Sequence, residues 1–100
     1  MIKIGRKKIS IDSPPFLIAE ISANHKGSLT RALKLVKLAA NAGFDAIKLQ
    51  TYEPEQITLN SKKKDFLIKD KKSIWNNKRL YNLYKSGHTP KKWHKKIFEK

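Results

Sequence analysis

The chain contains no cysteine and no long apolar run, and each absence excludes a class of protein. Without cysteine, a disulfide framework and a thiolate metal site are both excluded. No stretch approaches the roughly 20 apolar residues that a transmembrane helix needs. The first eight residues, Met-Ile-Lys-Ile-Gly-Arg-Lys-Lys, lack the apolar centre of a secretory signal. Together these absences predict a cytoplasmic protein with no membrane partner.

Acidic residues are scarce. The 23 lysines and arginines stand against 8 aspartates and glutamates, which gives a formal net charge of +15. A basic surface attracts phosphate backbones, so one interpretation is a small module that binds nucleic acid or other acidic surfaces. The lysines are dispersed from Lys3 to Lys100, however, as on an ordinary solvated surface. Nucleic acid is therefore the less favoured partner.

Two apolar runs with polar residues near their ends are typical of buried β-strands. The first run covers residues 16–19 and is followed by Glu20, a carboxylate that is costly to bury without a partner. The second covers residues 46–52 and contains Lys48 and Gln50 at the same parity. Because side chains alternate across a strand, Lys48 and Gln50 should face one side.

One helix is predicted between these strands. Apolar residues recur at helical spacing after Ser28, a suitable N-cap, and Gly43 is a suitable C-terminal stop. A strand–helix–strand unit implies that the two strands are parallel neighbours. Adjacent parallel strands with polar carboxyl ends favour a (β/α) barrel, whose active site lies at that end. Glu20 would then be a salt-bridge partner of Lys48, a catalytic group, or both.

The predicted organisation is that of an incomplete α/β protein. It comprises a hairpin over residues 1–12, a first β-α-β unit over residues 16–52, and a loop with helices over residues 53–100. A complete (β/α)8 barrel needs about 250 residues. We therefore expect residues 1–100 to be the truncated N-terminal part of such a barrel domain.

Two further helices are predicted after the long loop. The first begins near Trp75 and ends at Gly87. The second begins at Pro90, with Thr89 as its N-cap. His94 should lie on the flank of this second helix and take no part in chemistry.

Two segments resemble signatures of the sialic acid synthase family, and two more resemble its pseudaminic acid synthase branch. Ala19-Glu-Ile-Ser-Ala-Asn-His-Lys-Gly-Ser28 is similar to the family motif Ala-Glu-Ile-x-x-Asn-His-x-Gly, and Ala42-Gly-Phe-Asp-Ala-Ile-Lys-Leu-Gln-Thr-Tyr52 is similar to its second-strand motif. Leu80-Tyr-Asn-Leu-Tyr84 and His88-Thr-Pro…Trp93-His94 resemble the pseudaminic acid synthase branch. The resemblance extends over essentially all 100 residues, although Lys26 replaces a common asparagine.

The resemblance implies a TIM barrel that condenses phosphoenolpyruvate with an acetamido-hexose, giving a nonulosonic acid and phosphate. It implies catalytic roles for Glu20 and Lys48, with Lys48 on phosphoenolpyruvate. Substrate binding would involve Lys48, Gln50, Asn24 and His25, and His25 has the alternative role of a hydrogen-bonding residue that stiffens its loop. The role of Trp75 is left open between anchoring its loop and serving as a platform for the sugar.

The resemblance also implies a divalent metal, Mn²⁺ or Mg²⁺, that polarises the sugar aldehyde. The metal-binding histidines of the family match no histidine of this chain, so the chain is expected to contribute no metal ligand. The resemblance further implies a homodimer. We expect this chain to be inactive alone, and marginally folded unless a partner chain that carries the remainder of the barrel completes it, because open strand edges require a cover.

Overall fold

The computed structural model describes residues 2–100, which form a mixed α/β structure with two separate two-stranded sheets. The elements in chain order are β1 (Ile2–Ile4), β2 (Lys7–Ile9), β3 (Ile18–Glu20), α1 (Leu29–Asn41), β4 (Ala46–Lys48), α2 (Leu80–Gly87) and α3 (His94–Glu99). Short 3₁₀ turns cover Pro54–Gln56, Lys64–Phe66 and Lys91–Trp93. None of the helices in this described part is long and apolar enough to cross a membrane.

The first sheet is the hairpin that the sequence predicts. β1 and β2 are antiparallel, with Ile2 opposite Ile9 and Ile4 opposite Lys7. Gly5 turns the chain at a φ of 58°, a conformation that glycine adopts without steric cost. Met1, which the predicted hairpin includes, lies outside the described residues.

The second sheet is the predicted parallel pair. β3 runs beside β4 with Ile18 opposite Ala46 and Glu20 opposite Lys48. Both strands are shorter than expected, because the first begins at Ile18 rather than at residue 16 and the second ends at Lys48 rather than at residue 52. At its far end the pairing stops where Ser22, at a φ of 51°, turns the chain away.

Helix α1 begins and ends at the residues that its sequence indicates. The Ser28 hydroxyl accepts a hydrogen bond from the backbone N–H of Arg31 at 3.1 Å. At the other end, the N–H of Gly43 donates to Ala40 and the N–H of Phe44 donates to Ala39, each at 3.1 Å. This pair of bonds is a Schellman motif, and it needs the left-handed φ of 91° that Gly43 supplies.

The predicted helix from Trp75 is wrong at its start. Asn77 has a φ of 64° and interrupts any helix there, and α2 begins only at Leu80. Residues between the predicted start at Trp75 and the observed start at Leu80 pair with the preceding loop. Asn77 N–H donates to Ile68 O at 2.8 Å, and Ile68 N–H donates to Lys78 O at 3.0 Å. Partners in the preceding loop therefore replace the helical hydrogen bonds that local periodicity suggested.

Thr89 is not the N-cap that the sequence suggests. Pro90 takes the N-cap position of the 3₁₀ turn Lys91–Trp93, which continues directly into α3. Thr89 is completely buried, and its backbone and hydroxyl both pair with Gln50 instead. A tertiary contact has therefore replaced the local capping bond.

The buried core is small. Ala32 of α1 packs with Trp93 and Ile97 of the C-terminal segment, and partly buried apolar residues surround them. Ile18, Leu38 and Phe98 are 54%, 52% and 79% exposed. The radius of gyration is 17.2 Å, whereas a compact domain of this length has about 13 Å. Several apolar faces are therefore uncovered in the described part of the chain.

Asp45 connects the two sheets. Its carboxylate accepts a hydrogen bond from the backbone N–H of Leu17 at 2.8 Å and lies 3.1 Å from the Lys7 ammonium. The backbone N–H groups of Asp45 and Ala46 both donate to Leu17 O, at 2.8 and 3.1 Å. The Leu17 N–H, followed by Lys7, holds the pKa of Asp45 below its ordinary value. This aspartate therefore joins the hairpin and the entries of β3 and β4.

The lowered pKa makes folding sensitive to acid. Because the folded chain binds the Asp45 proton more weakly than the unfolded chain does, stability from this group is fully present above the unfolded value of about 3.9. It is lost as the pH falls through the lower folded value. We expect Asp45→Asn to destabilise the chain near pH 7 and to flatten this acid dependence.

The measurement is the folded fraction, followed by far-ultraviolet circular dichroism and by the amide resonances of β3 from neutral pH into acid. Asp12→Asn, which removes the same charge at an exposed position, is the matched control and should keep the wild-type profile. Identical acid profiles for Asp45→Asn and the wild type would contradict this role of Asp45.

Candidate active site at the ends of the parallel strands

Glu20 and Lys48 form an ion pair at the carboxyl ends of β3 and β4. They are direct partners in the strand register, and the Lys48 ammonium donates to the Glu20 carboxylate at 2.9 Å. The contact expected from the sequence is confirmed, but the expected burial is wrong. The Lys48 and Glu20 side chains are 66% and 58% exposed, because no described element covers this side of the sheet. Exposed ion pairs contribute about 0–1 kcal/mol to stability, so this pair does little to hold the fold.

Gln50 and Ser22 share a shallow cavity with this pair. The cavity has a volume of about 100 Å³ and is lined by Glu20, Ser22, Lys48, Leu49 and Gln50. The parity argument therefore places Lys48 and Gln50 correctly, even though Gln50 lies two residues beyond the end of β4. Ser22 reaches the cavity through its turn rather than through strand alternation.

The cavity is lined by one cation, Lys48, and one carboxylate, Glu20. An ammonium group carries three donors, and among residues 2–100 the Lys48 ammonium has a hydrogen bond to Glu20. The remaining donors face solvent and can receive a carboxylate or phosphate. The Gln50 carboxamide offers both a donor and an acceptor to a polyhydroxylated ligand.

Asn24 lies on the loop after β3 and uses its side chain to stabilise that loop. Its carboxamide donates to Ile21 O at 2.9 Å, and its backbone carbonyl accepts from the Arg31 guanidinium at 2.6 Å. It does not line the cavity of Glu20 and Lys48, but it lines the neighbouring groove. Its predicted contact with substrate remains a prediction.

His25 is buried within the same loop. It is 1% exposed, and its Nδ1 accepts a hydrogen bond from the Gly27 N–H at 2.9 Å. The ring proton is therefore on Nε2, which has no hydrogen-bond partner among residues 2–100. The ring lies edge-to-face with Trp93 at a centroid distance of 5.1 Å. Of the two roles that the sequence left open, this geometry favours loop stiffening.

A larger groove adjoins the cavity. Its volume is about 1120 Å³, it lies between the loop of Asn24 and helix α2, and Gln50 lines both spaces. Trp75, whose role the sequence left open, lines the groove and is 46% exposed. Across residues 2–100, no group of three histidine, aspartate or glutamate side chains converges as metal ligands do.

The sequence did not identify the contacts that hold the residues following β4. Thr89 pairs with Gln50, the Thr51 hydroxyl lies 2.6 Å from His94 Nε2, and the Tyr52 hydroxyl donates to a backbone carbonyl of α2 at 2.7 Å. His94, expected to be an inert helix-flank residue, is thus a hydrogen-bond partner. These contacts join residues 32 to 43 positions apart, and no local pattern reports them.

Comparison with known proteins places these residues in a family. The model of the NeuB family matches residues 35–100, which include the second-strand motif. A pseudaminic acid synthase of Campylobacter jejuni is 56% identical over 88 residues, which are 88% of this chain and 25% of that enzyme. A pseudaminic acid synthase of Helicobacter pylori is 42% identical over 86 residues, which are 86% of this chain and 25% of that enzyme.

A third relative is a spore coat polysaccharide biosynthesis protein of Bacillus subtilis. It is 40% identical over 55 residues, which are 55% of this chain and 15% of that protein. This chain spans about a quarter of the length of the two synthases. The family match over 66 of the 100 residues, together with relatives that cover 86–88% of the chain, confirms the resemblance, and the chain belongs to the NeuB family.

Proposed function

We propose that this chain contributes the phosphoenolpyruvate-binding edge of a pseudaminic or sialic acid synthase. The observation that carries the proposal is the 2.9 Å contact of Lys48 with Glu20 across adjacent parallel strands, in a cavity that Gln50 also lines. The names of the similar synthases support the class of reaction. The whole enzyme would join phosphoenolpyruvate to an acetamido-hexose and release phosphate.

In this proposal, Glu20 holds the Lys48 ammonium in place until the donor substrate arrives. An exposed ion pair is worth at most about 1 kcal/mol, so a substrate with two anionic groups can displace Glu20 from Lys48 at little cost. The released carboxylate can then orient a hydroxyl of the sugar. Gln50 would hydrogen-bond the same sugar from the adjacent position of the cavity.

We propose that β3 and β4 are two strands of a (β/α)8 barrel. In the described chain β3 and β4 pair only with each other, which leaves each with a free edge. Apolar depressions flank them: one includes Leu38 and Phe44, and the other includes Ile47 and Phe98. Parallel sheets are normally covered on both faces. Further βα units, on this or another polypeptide, would cover these depressions.

The family also implies Mn²⁺ or Mg²⁺. The described residues do not fit such an ion, because residues 2–100 bring together no cluster of three histidine, aspartate or glutamate side chains.

Lys48 should dominate the binding of phosphoenolpyruvate. We expect Lys48→Gln to raise the dissociation constant at least about tenfold, because a charge-assisted hydrogen bond contributes about 1.5–3 kcal/mol. The measurement is a titration of the chain with phosphoenolpyruvate, followed by the amide resonances of Glu20 and Gln50. Lys34→Gln removes the same charge at an exposed position of α1 and serves as the control.

That control is needed because a net charge of +15 attracts any phosphate compound non-specifically. Equal weakening in the Lys34 and Lys48 variants, or binding that vanishes in both with moderate salt, would show that the anion does not occupy the proposed site.

The isolated 100-residue chain should have no synthase activity. Most of the proposed barrel lies outside it, since it spans only 25% of the length of the similar synthases. The assay is release of inorganic phosphate from phosphoenolpyruvate in the presence of an acetamido-hexose and Mn²⁺. Sustained turnover by this chain alone would show that the proposed barrel is unnecessary.

A further inference from the structure

We propose that Thr89 is a positioning residue for Gln50, and that the segment of residues 84–94 orients the residues that follow β4. This inference rests on the proposed function in one respect, namely that Gln50 contacts substrate. The contacts that carry it lie outside the cavity itself.

Thr89 engages the backbone of Gln50 in both directions. The Thr89 N–H donates to Gln50 O at 2.8 Å, and the Gln50 N–H donates to the Thr89 hydroxyl at 3.4 Å. Thr89 is 0% exposed, so water does not reach its polar groups. Because β4 ends at Lys48, no ladder of β-sheet bonds holds Gln50. Thr89 therefore provides the hydrogen bonds to the Gln50 backbone that a neighbouring strand would otherwise provide.

The next two residues are held by the same segment. The Thr51 hydroxyl is hydrogen-bonded to His94 Nε2 at 2.6 Å, and the Tyr52 hydroxyl donates to Tyr84 O at 2.7 Å. Burial raises the pKa of Tyr52 above its ordinary value, so this hydroxyl stays protonated and remains a donor. Three consecutive residues thus each depend on a different residue of the 84–94 segment.

Gly87 brings this segment against the side chain of Gln50 as well. A Cβ atom at Gly87 would lie 3.3 Å from Ala23 Cβ, 3.6 Å from the Tyr52 hydroxyl and 3.9 Å from Gln50 Nε2. The absence of a side chain at Gly87 lets the segment approach both the loop after β3 and the Gln50 carboxamide. Fixed backbone and restricted space together reduce the orientations open to Gln50, which is how a binding group is preorganised.

The test compares Thr89→Val, which removes the hydroxyl but keeps the branched shape, with Thr89→Ser, which keeps the hydroxyl. Amide hydrogen exchange of the full 100-residue chain is measured at Gln50 and, as a reference within α1, at Val36. Thr30→Val, at an exposed position of α1, controls for the substitution itself.

We expect Thr89→Val to lower the protection of the Gln50 amide about tenfold relative to Val36, the size of effect that one lost hydrogen bond has on a local equilibrium. Thr89→Ser should restore it to within about threefold, and Thr30→Val should leave the ratio unchanged. Equal loss of protection at both amides in Thr89→Val would indicate general destabilisation and would overturn the inference. An unchanged ratio, or an unprotected Gln50 amide in the wild type, would also overturn it.

A second arm separates this inference from the proposed function. N-acetylmannosamine, as the acetamido-hexose probe, is titrated while the side-chain amide resonances of Gln50 are followed. The hydrogen-exchange results could be as expected while the sugar shifts no Gln50 resonance in the wild type. That outcome would contradict the role of Gln50 in substrate binding and would leave its positioning by Thr89 standing. Equal shifts by the sugar in the wild type and in Thr89→Val would show that positioning does not affect binding.

Discussion

The site depends on the register of two short parallel strands, and Asp45 contributes hydrogen bonds to that register at the strand entries. Its carboxylate accepts from Leu17 N–H, while its own N–H and that of the following residue donate to Leu17 O. Three residues further along each strand, this alignment brings Glu20 opposite Lys48. A slip of one residue would move one of these side chains to the other face of the sheet. A third charge, outside the cavity, therefore supports the alignment in which the opposite charges meet.

The strands themselves are too short to organise the whole site. β4 ends at Lys48, and the residues beyond it are held by hydrogen bonds from residues 84–94. The site is therefore built in two parts. Strand pairing places the charged groups, and a distant segment places the carboxamide of Gln50. This division explains why a fully buried threonine lies near a cavity that it does not line.

The ion pair of the site and several large apolar side chains are all left exposed in the described chain. Glu20 and Lys48 are more than half exposed, so their contact stabilises the fold little. Phe98 and Leu38 are also largely exposed, although burial of each would stabilise the fold by about 1.5–3 kcal/mol. Both facts have one physical origin, which is that elements able to cover the sheet and its helices are not among the described residues. The chain spans about a quarter of the length of the synthases that it resembles.

Local sequence determined the features that depend on neighbouring residues. Ser28 and Gly43 bound α1 because capping bonds span only a few positions. The alternation of side chains predicts that Lys48 and Gln50 share a cavity, although Gln50 lies beyond the end of β4. Tertiary structure decided the rest. The fully buried Thr89 leaves its expected cap position, and α2 starts five residues later than periodicity indicates, because partners distant in sequence satisfy those backbone groups. Burial and long-range pairing are properties of the packed chain, and no window of adjacent residues carries them.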